Sequence, residues 1–183
     1  MTKRSLAEAL RTSDLLYPRV ELDAAILRMA TQIDVSYAGV ETPLFITVMN
    51  GGLMLAGELS LRCRTGFQFD YVHATRYRGA TQGHGLEWVA RPRTALKGRD
   101  VLLVDDILDE GRTLTPVKQW CLDEGATRVQ IAVLCQKQHD RRVPGISAEF
   151  IGVSVPDRYV YGFGMDYYEL GRNLDGIYAL RDA

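Results

Sequence analysis

Short apolar runs alternate with amphipathic stretches along this chain, and glycine, proline and polar turns separate them. Leu22, Ile26, Met29, Ala30 and Ile33 recur at helical spacing, with Pro18 ahead and Gly39 behind, and predict an amphipathic helix. Leu44 to Met49 reads as a strand, and Asn50-Gly51-Gly52 turns the chain into a second helix from about Leu53 to Arg62. Phe67 to Ala74 alternates enough to be a strand, and Trp88 to Ala90 is a short returning one. Between them, Arg76 to Glu87 holds three glycines and few apolar residues, the pattern of a long flexible loop. Val101-Leu102-Leu103-Val104 is β-branched at both ends, as in a strand buried on both faces of a parallel sheet. Beyond it Thr115 can cap a helix and Pro116 suits its first turn; Val117, Trp120 and Cys121 continue it as far as Glu124-Gly125. Arg128 to Leu134, Phe150 to Val153 and Tyr159 to Phe163 complete the strands. Such alternation predicts an α/β fold, a mostly parallel twisted sheet flanked by helices, with functional loops at the carboxyl ends of the strands.

Size and charge narrow this picture. A chain of 183 residues suits one domain spanning residues 1–183. Its net charge of −1 provides no basic field for nucleic acid, and Arg76-Tyr77-Arg78 and Arg91-Pro92-Arg93 are only local clusters. Cys63, Cys121 and Cys135 lack metal spacing and cannot all pair, which fits a reducing cytoplasm. His73, His84 and His139 are scattered along the chain and argue against a histidine metal site. Met1-Thr2-Lys3-Arg4 leads into mixed polar sequence rather than a signal core, and no apolar run approaches the ~20 residues of a membrane span. The expectation is a soluble cytoplasmic protein with neither membrane nor nucleic acid as partner.

The candidate chemistry lies in Val104-Asp105-Asp106-Ile107-Leu108-Asp109-Glu110-Gly111-Arg112-Thr113. A strand–loop–helix unit presents backbone N–H groups at the helix start, where they can hold a phosphate. Four acids beside a phosphate would repel it unless a divalent cation, a set of sugar hydroxyls, or both are bound there too. Acid pairs also follow strands in bacterial receiver domains and in plain solvated turns. A receiver domain would place its pair after the first strand, whereas this one lies past the midpoint.

The stretch Val101 to Thr113 resembles the phosphoribosyl-diphosphate (PRPP) signature of the type I phosphoribosyltransferases. Four blocks between residues 44 and 173, in the right order, are similar to the hypoxanthine-guanine branch of that family. The resemblance implies the type I fold, with a small base-binding hood built from the N- and C-terminal segments. It also implies magnesium-dependent transfer of phosphoribose from PRPP to hypoxanthine and guanine in purine salvage, giving IMP and GMP plus pyrophosphate. By the same resemblance, Asp105 and Asp106 accept hydrogen bonds from the ribose hydroxyls and support magnesium. Asp109 is the general base, and it joins Glu110, Gly111, Arg112 and Thr113 in the PRPP site. Lys137 donates to the purine 6-oxo group, Tyr159 stacks on the ring, and the Val160 backbone reads its edge. Asp166, beside the base, holds a second magnesium on pyrophosphate, which Arg172 also meets.

Asn50-Gly51-Gly52 corresponds to the pyrophosphate loop of the family, where a non-proline cis peptide would fall at Met49–Asn50. Three positions depart from the pattern: Asn50 and Arg112 stand where relatives often have lysine, and Thr75-Arg76-Tyr77 where many have serine before the tyrosine. The charge absent at Asn50 is then expected from Arg76 or Arg78 as the loop closes. Tyr161 and Phe163 read as strand packing. Two alternatives remain: a xanthine-preferring enzyme, and a nucleotide-sensing RNA-binding regulator on the same fold, which should carry a strong basic face. Relatives form dimers and tetramers, so a homodimer or homotetramer is expected.

Overall fold

The computed structural model describes residues 5–76 and 86–181, apart from the side chains of Arg76 and Leu86. Along the chain run α1 (Leu6–Arg11), β1 (Ser13–Tyr17), α2 (Arg19–Ser36), β2 (Leu44–Met49), α3 (Leu53–Arg62), β3 (Gln68–Arg76) and β4 (Leu86–Ala90). Then follow β5 (Asp100–Leu108), α4 (Leu114–Asp123), β6 (Arg128–Lys137), β7 (Phe150–Val155), β8 (Val160–Tyr161) and β9 (Ile177–Leu180). Six strands form the main sheet in the order β4-β3-β2-β5-β6-β7. All its ladders are parallel except β3–β4, which is antiparallel.

Alternation along β5 explains why its apolar run is unbroken. Leu102 and Val104 pack with Leu22, Ile26 and Ile33 of α2 and with Leu55 and Leu59 of α3. Val101 and Leu103 point to the other face, toward Val117 and Cys121 of α4. Both faces are covered, so β2 and β5 hold fixed positions and their carboxyl ends become rigid mounts. On the α4 side the rings of Trp88 and Trp120 lie 5.0 Å apart and fasten β4 to that helix.

A smaller sheet, β1-β9-β8, joins the two ends of the chain. Ser13 pairs with Leu180 and Val160 with Ala179, and the hydroxyls of Ser13 and Tyr161 meet at 2.8 Å. Asp14 accepts from Arg158 and Arg181, which ties β1 to the segments before β8 and after β9. Tyr161 and Phe163 are buried packing residues. Among the described residues no helix is long and apolar enough to cross a membrane.

Several expected boundaries move. The helix after the acidic strand starts at Leu114 with Thr113 as its cap, not Thr115. Gly111, at φ +81°, turns the chain early, and its carbonyl already accepts from the Thr115 amide at 2.9 Å. Thr115 therefore lies inside the first turn, its hydroxyl buried without a partner. The strand expected over 159–163 shortens to Val160–Tyr161, because Gly162 at φ +98° and Phe163 at φ 47° bend the chain away. The loop expected over 76–87 is narrower: Arg76 belongs to β3, Leu86 and Glu87 belong to β4, and residues 77–85 lie outside the described residues.

Candidate active site

The parallel ends of β2 and β5 bring two of the sequence blocks together. Met49–Asn50 is a cis peptide, as the resemblance implied, and Gly51 follows it directly over the acid pair. A Cβ on Gly51 would run into the Asp106 carboxylate, and one on Gly52 into the Val104 carbonyl. Gly164, at φ +103°, arrives from the C-terminal segment; its Cβ would strike the Gly51 carbonyl and stand 3.1 Å from Asp106 Cβ. Three segments distant in sequence therefore converge on Asp106 because two of them lack side chains there.

Asp105 and Asp106 are only 9% and 8% exposed. The Asp106 amide donates to Asp105 Oδ1 at 2.9 Å. Burial pushes both carboxyls above the ordinary range, and the charge of Asp106 raises Asp105 further. Arg172 opposes this from 3.9 Å, at Asp106 Oδ2. The same guanidinium donates to the Gly164 carbonyl at 2.7 Å, pairs with Asp166 at 2.8 Å and reaches Glu169 at 3.6 Å.

These groups surround one cavity of about 470 Å³. Its described lining includes Asn50, Gly51, Asp105, Asp106, Asp109, Glu110, Gly111, Arg112, Thr113, Asp166 and Arg172, with His73 beside Met49 in the β2–β3 ladder. Arg112 pairs with Glu110 at the rim. Gly111 to Thr113 line the cavity ahead of α4, and Leu114 there belongs to its first turn, where N–H groups lack intrahelical acceptors. Six carboxylates (105, 106, 109, 110, 166 and 169) face two guanidiniums among the described lining residues. No three acid, histidine or cysteine side chains among the described residues gather around one metal position. This all-oxygen, under-neutralised donor set fits a hard cation that keeps several waters and takes its remaining ligands from a diphosphate.

Asp109 stands just past β5. The register Leu108↔Gln136 places it opposite Lys137, the last residue of β6. Lys137 Nζ lies 2.8 Å from Asp109 Oδ2, and His139 Nε2 lies 2.6 Å from Asp109 Oδ1. Partial burial disfavours the charged carboxyl, but the hydrogen bonds from Lys137 and His139 outweigh it and hold Asp109 below the ordinary range. His139 is the residue that the sequence reading passed over. Its signal was its place two positions after Lys137, where an extended chain returns a side chain to the same side.

The aromatic segment meets the cavity at Asp166. The Tyr159 hydroxyl donates to the Asp166 carbonyl at 3.2 Å, and its ring lies edge-on to Tyr167 at 5.9 Å and near-parallel to Tyr168 at 6.4 Å. Val160 is buried against β9. The expected residues thus fall into two groups: the Glu110–Thr113 loop and the acids around the cavity, and Lys137, Tyr159 and Val160 beside it. Arg76 ends β3, but its side chain lies outside the described residues, as does all of Arg78.

Comparison with known proteins agrees with this geometry. Residues 17–167 match the phosphoribosyl transferase domain. The chain is 31% identical over 163 residues to the hypoxanthine-guanine phosphoribosyltransferase of Streptococcus pneumoniae, covering 88% of this chain and 89% of that protein. It is 31% identical over 169 residues to the enzyme of the same name from Streptococcus mutans, covering 92% of this chain and 93% of that protein. A hypoxanthine phosphoribosyltransferase structure from Staphylococcus aureus superposes with a TM-score of 0.87 at 25% identity, covering 99% of this chain and 97% of that one. With the domain matched over residues 17–167 and relatives at 31% identity aligned along nearly their whole length, the chain belongs to the phosphoribosyltransferases, in their hypoxanthine-guanine branch.

Proposed function

We propose that the protein transfers the 5-phosphoribosyl group of PRPP to the 6-oxopurines hypoxanthine and guanine, giving IMP and GMP plus pyrophosphate, with magnesium as cofactor. The observation that carries this reading is the Asp109–Lys137 pair, set beside a buried acid pair and an amide-lined loop on one cavity. In this reading the 5-phosphate rests on the Gly111–Thr113 amides at the start of α4, assisted by Arg112. Asp105 and Asp106 accept hydrogen bonds from the ribose hydroxyls and would hold magnesium, and Asp166 would hold a second ion. Magnesium bound there supplies Lewis-acid neutralisation of the diphosphate. Arg172, Asn50 and the Gly51 backbone receive pyrophosphate, with Arg76 as a further cation. Tyr159 covers the purine, Lys137 donates to its 6-oxo group, and the Val160 backbone meets its edge. As a purine nitrogen attacks C1 of the ribose, the bond from C1 to pyrophosphate breaks and pyrophosphate leaves with the electron pair. Asp109 takes the proton that the nitrogen loses. The protein is assigned to the cytoplasm as a homodimer or homotetramer.

Steady-state rates with PRPP and each of hypoxanthine, guanine, xanthine and adenine, with and without chelator, test this reading. Turnover of hypoxanthine and guanine that stops with chelator and returns with magnesium is expected. Turnover of xanthine alone would replace it with a xanthine enzyme.

A further inference from the structure

Asp109 is held by two donors in the free protein, yet one of them has a second task. If Lys137 turns to the purine 6-oxo group, its bond to Asp109 is weakened or lost when the base must be aimed. Asp109 lies past the end of β5 with its side chain 41% exposed, so neither packing nor the sheet fixes it. His139 is placed differently. Its side chain is only 2% exposed, and its ring meets Asp109 from the side opposite Lys137's oxygen contact, at Oδ1 rather than Oδ2.

The imidazole is itself fixed. Its Nδ1 accepts from the Arg141 amide at 3.1 Å, which leaves the proton on Nε2, where it donates to Asp109. The loop carrying it is held at both ends. Arg141 forms a two-pronged pair with Asp157 at 2.7 Å for each prong, and Arg142 donates to the Lys137 carbonyl at 3.0 Å. His139 thus connects the acid to the segment that precedes Tyr159, through a chain of hydrogen bonds that does not involve the Lys137 ammonium.

We propose that His139 is the positioning residue of Asp109: through Nε2–H it keeps the carboxylate aimed at the purine while Lys137 is engaged by the 6-oxo group. The proposal rests on the reading of Asp109 as the general base. The proton still passes from the purine to Asp109, since Nε2 already carries a hydrogen and cannot accept another.

Two substitutions separate this role from that of a buried peg. Gln places an amide N–H about where Nε2 stands, so His139→Gln keeps the bond to Asp109 and gives up the acceptor for the Arg141 amide. Asn places its oxygen about where Nδ1 stands, so His139→Asn keeps the Arg141 bond and gives up the one to Asp109. Measured on the full chain with melting temperature as the folding control, His139→Asn should lower kcat about tenfold or more with KM for PRPP unchanged. His139→Gln should stay within about threefold of the parent. In an Asp109→Asn background, His139→Asn should change kcat no further, because the group it acts through is gone. Parental kcat in His139→Asn, equal losses in both variants, or full additivity with Asp109→Asn would overturn the proposal. Parental kcat in Asp109→Asn alone would instead remove the reading of Asp109 as base.

Discussion

Lys137 Nζ lies 2.8 Å from Asp109 Oδ2, so the expected reader of the purine and the expected base neutralise each other before substrate arrives. In the proposed reaction, substrate binding exchanges this ion pair for a contact with the 6-oxo oxygen, and Asp109 is then held by His139. In the free protein partial burial disfavours the charge of Asp109, but the hydrogen bonds from Lys137 and His139 prevail and hold its carboxyl below the ordinary range.

Asp109→Asn should leave PRPP binding nearly intact and lower kcat on hypoxanthine by about 10² or more, the usual scale for a lost general base. Calorimetric titration with PRPP alongside turnover measures both quantities. A fall in PRPP affinity as large as the fall in kcat would place Asp109 in ribose or phosphate binding instead.

Adenine should be rejected through Lys137. An ammonium satisfied by the 6-oxo group meets a donor in the 6-amino group of adenine and is left unpaired in a partly buried position. Sites built on a substrate hydrogen bond discriminate by about 10⁴ in kcat/KM. Lys137→Ala should lose most of that preference by slowing hypoxanthine; comparable kcat/KM values for the two bases in the parent would refute the assignment.

Asp105→Asn should make the substrate-free protein more stable and abolish PRPP binding. Two adjacent carboxylates at 9% and 8% exposure have Arg172 as their one ion-pair partner among the described residues, and the amide keeps the acceptor used by the Asp106 N–H while removing a buried charge. A gain of about 1 kcal/mol, or ~2–4 °C in Tm for a chain of this size, is expected. Thermal melts without ligand read it directly, and a lower Tm would show that the charge is better compensated than its surroundings indicate.

Acid sensitivity should trace in part to Asp34, far from the cavity. Its carboxylate, 12% exposed, accepts from the amides of Arg64 and Thr65 at 2.9 Å each and from the Thr65 hydroxyl at 2.8 Å, fastening the end of α3 to α2. Burial pushes its pKa up, but the hydrogen bonds prevail and lower it. A depressed native pKa contributes stability above the unfolded value of about 3.9 and loses it as pH falls through the native value. Asp34→Ala should therefore cost about 2 kcal/mol at neutral pH, with the gap narrowing below about pH 4. Urea unfolding of parent and variant across that range checks it; a constant gap would assign the loss to packing.

The main sheet was legible because burial on both faces writes a strand as an unbroken apolar run, as in Val101 to Val104. The cavity-lining loop was legible because its polar residues are contiguous from Asp105 to Thr113. α1, β1 and β9 went unread: they span six, five and four residues, too short for a period to show. What stabilises them is partners across the chain, such as Ser13 with Leu180. Thr115 misled because a hydroxyl before a proline looks like a cap, whereas the turn at Gly111 starts the helix sooner. His139 carried no motif beyond its place two positions after Lys137, and the register of β5 on β6 is what brings its loop past Asp109.

The absence of a side chain at Gly51 and Gly164 also bears on how such a protein can be rebuilt. Because Asp106 fills the space a Cβ would need at Gly51, and the Gly51 carbonyl fills the space needed at Gly164, the segment from Tyr159 to Asp166 is not an exchangeable cassette. A graft from a relative with another base preference must bring a residue without a Cβ at position 164, or it will displace the Gly51 backbone and Asp106. Recombination libraries that cut between residues 52 and 164 should therefore yield active chimeras only where both parents agree at these contacts. Selection for a new base should then act on the rim around Tyr159, not on the backbone beneath it.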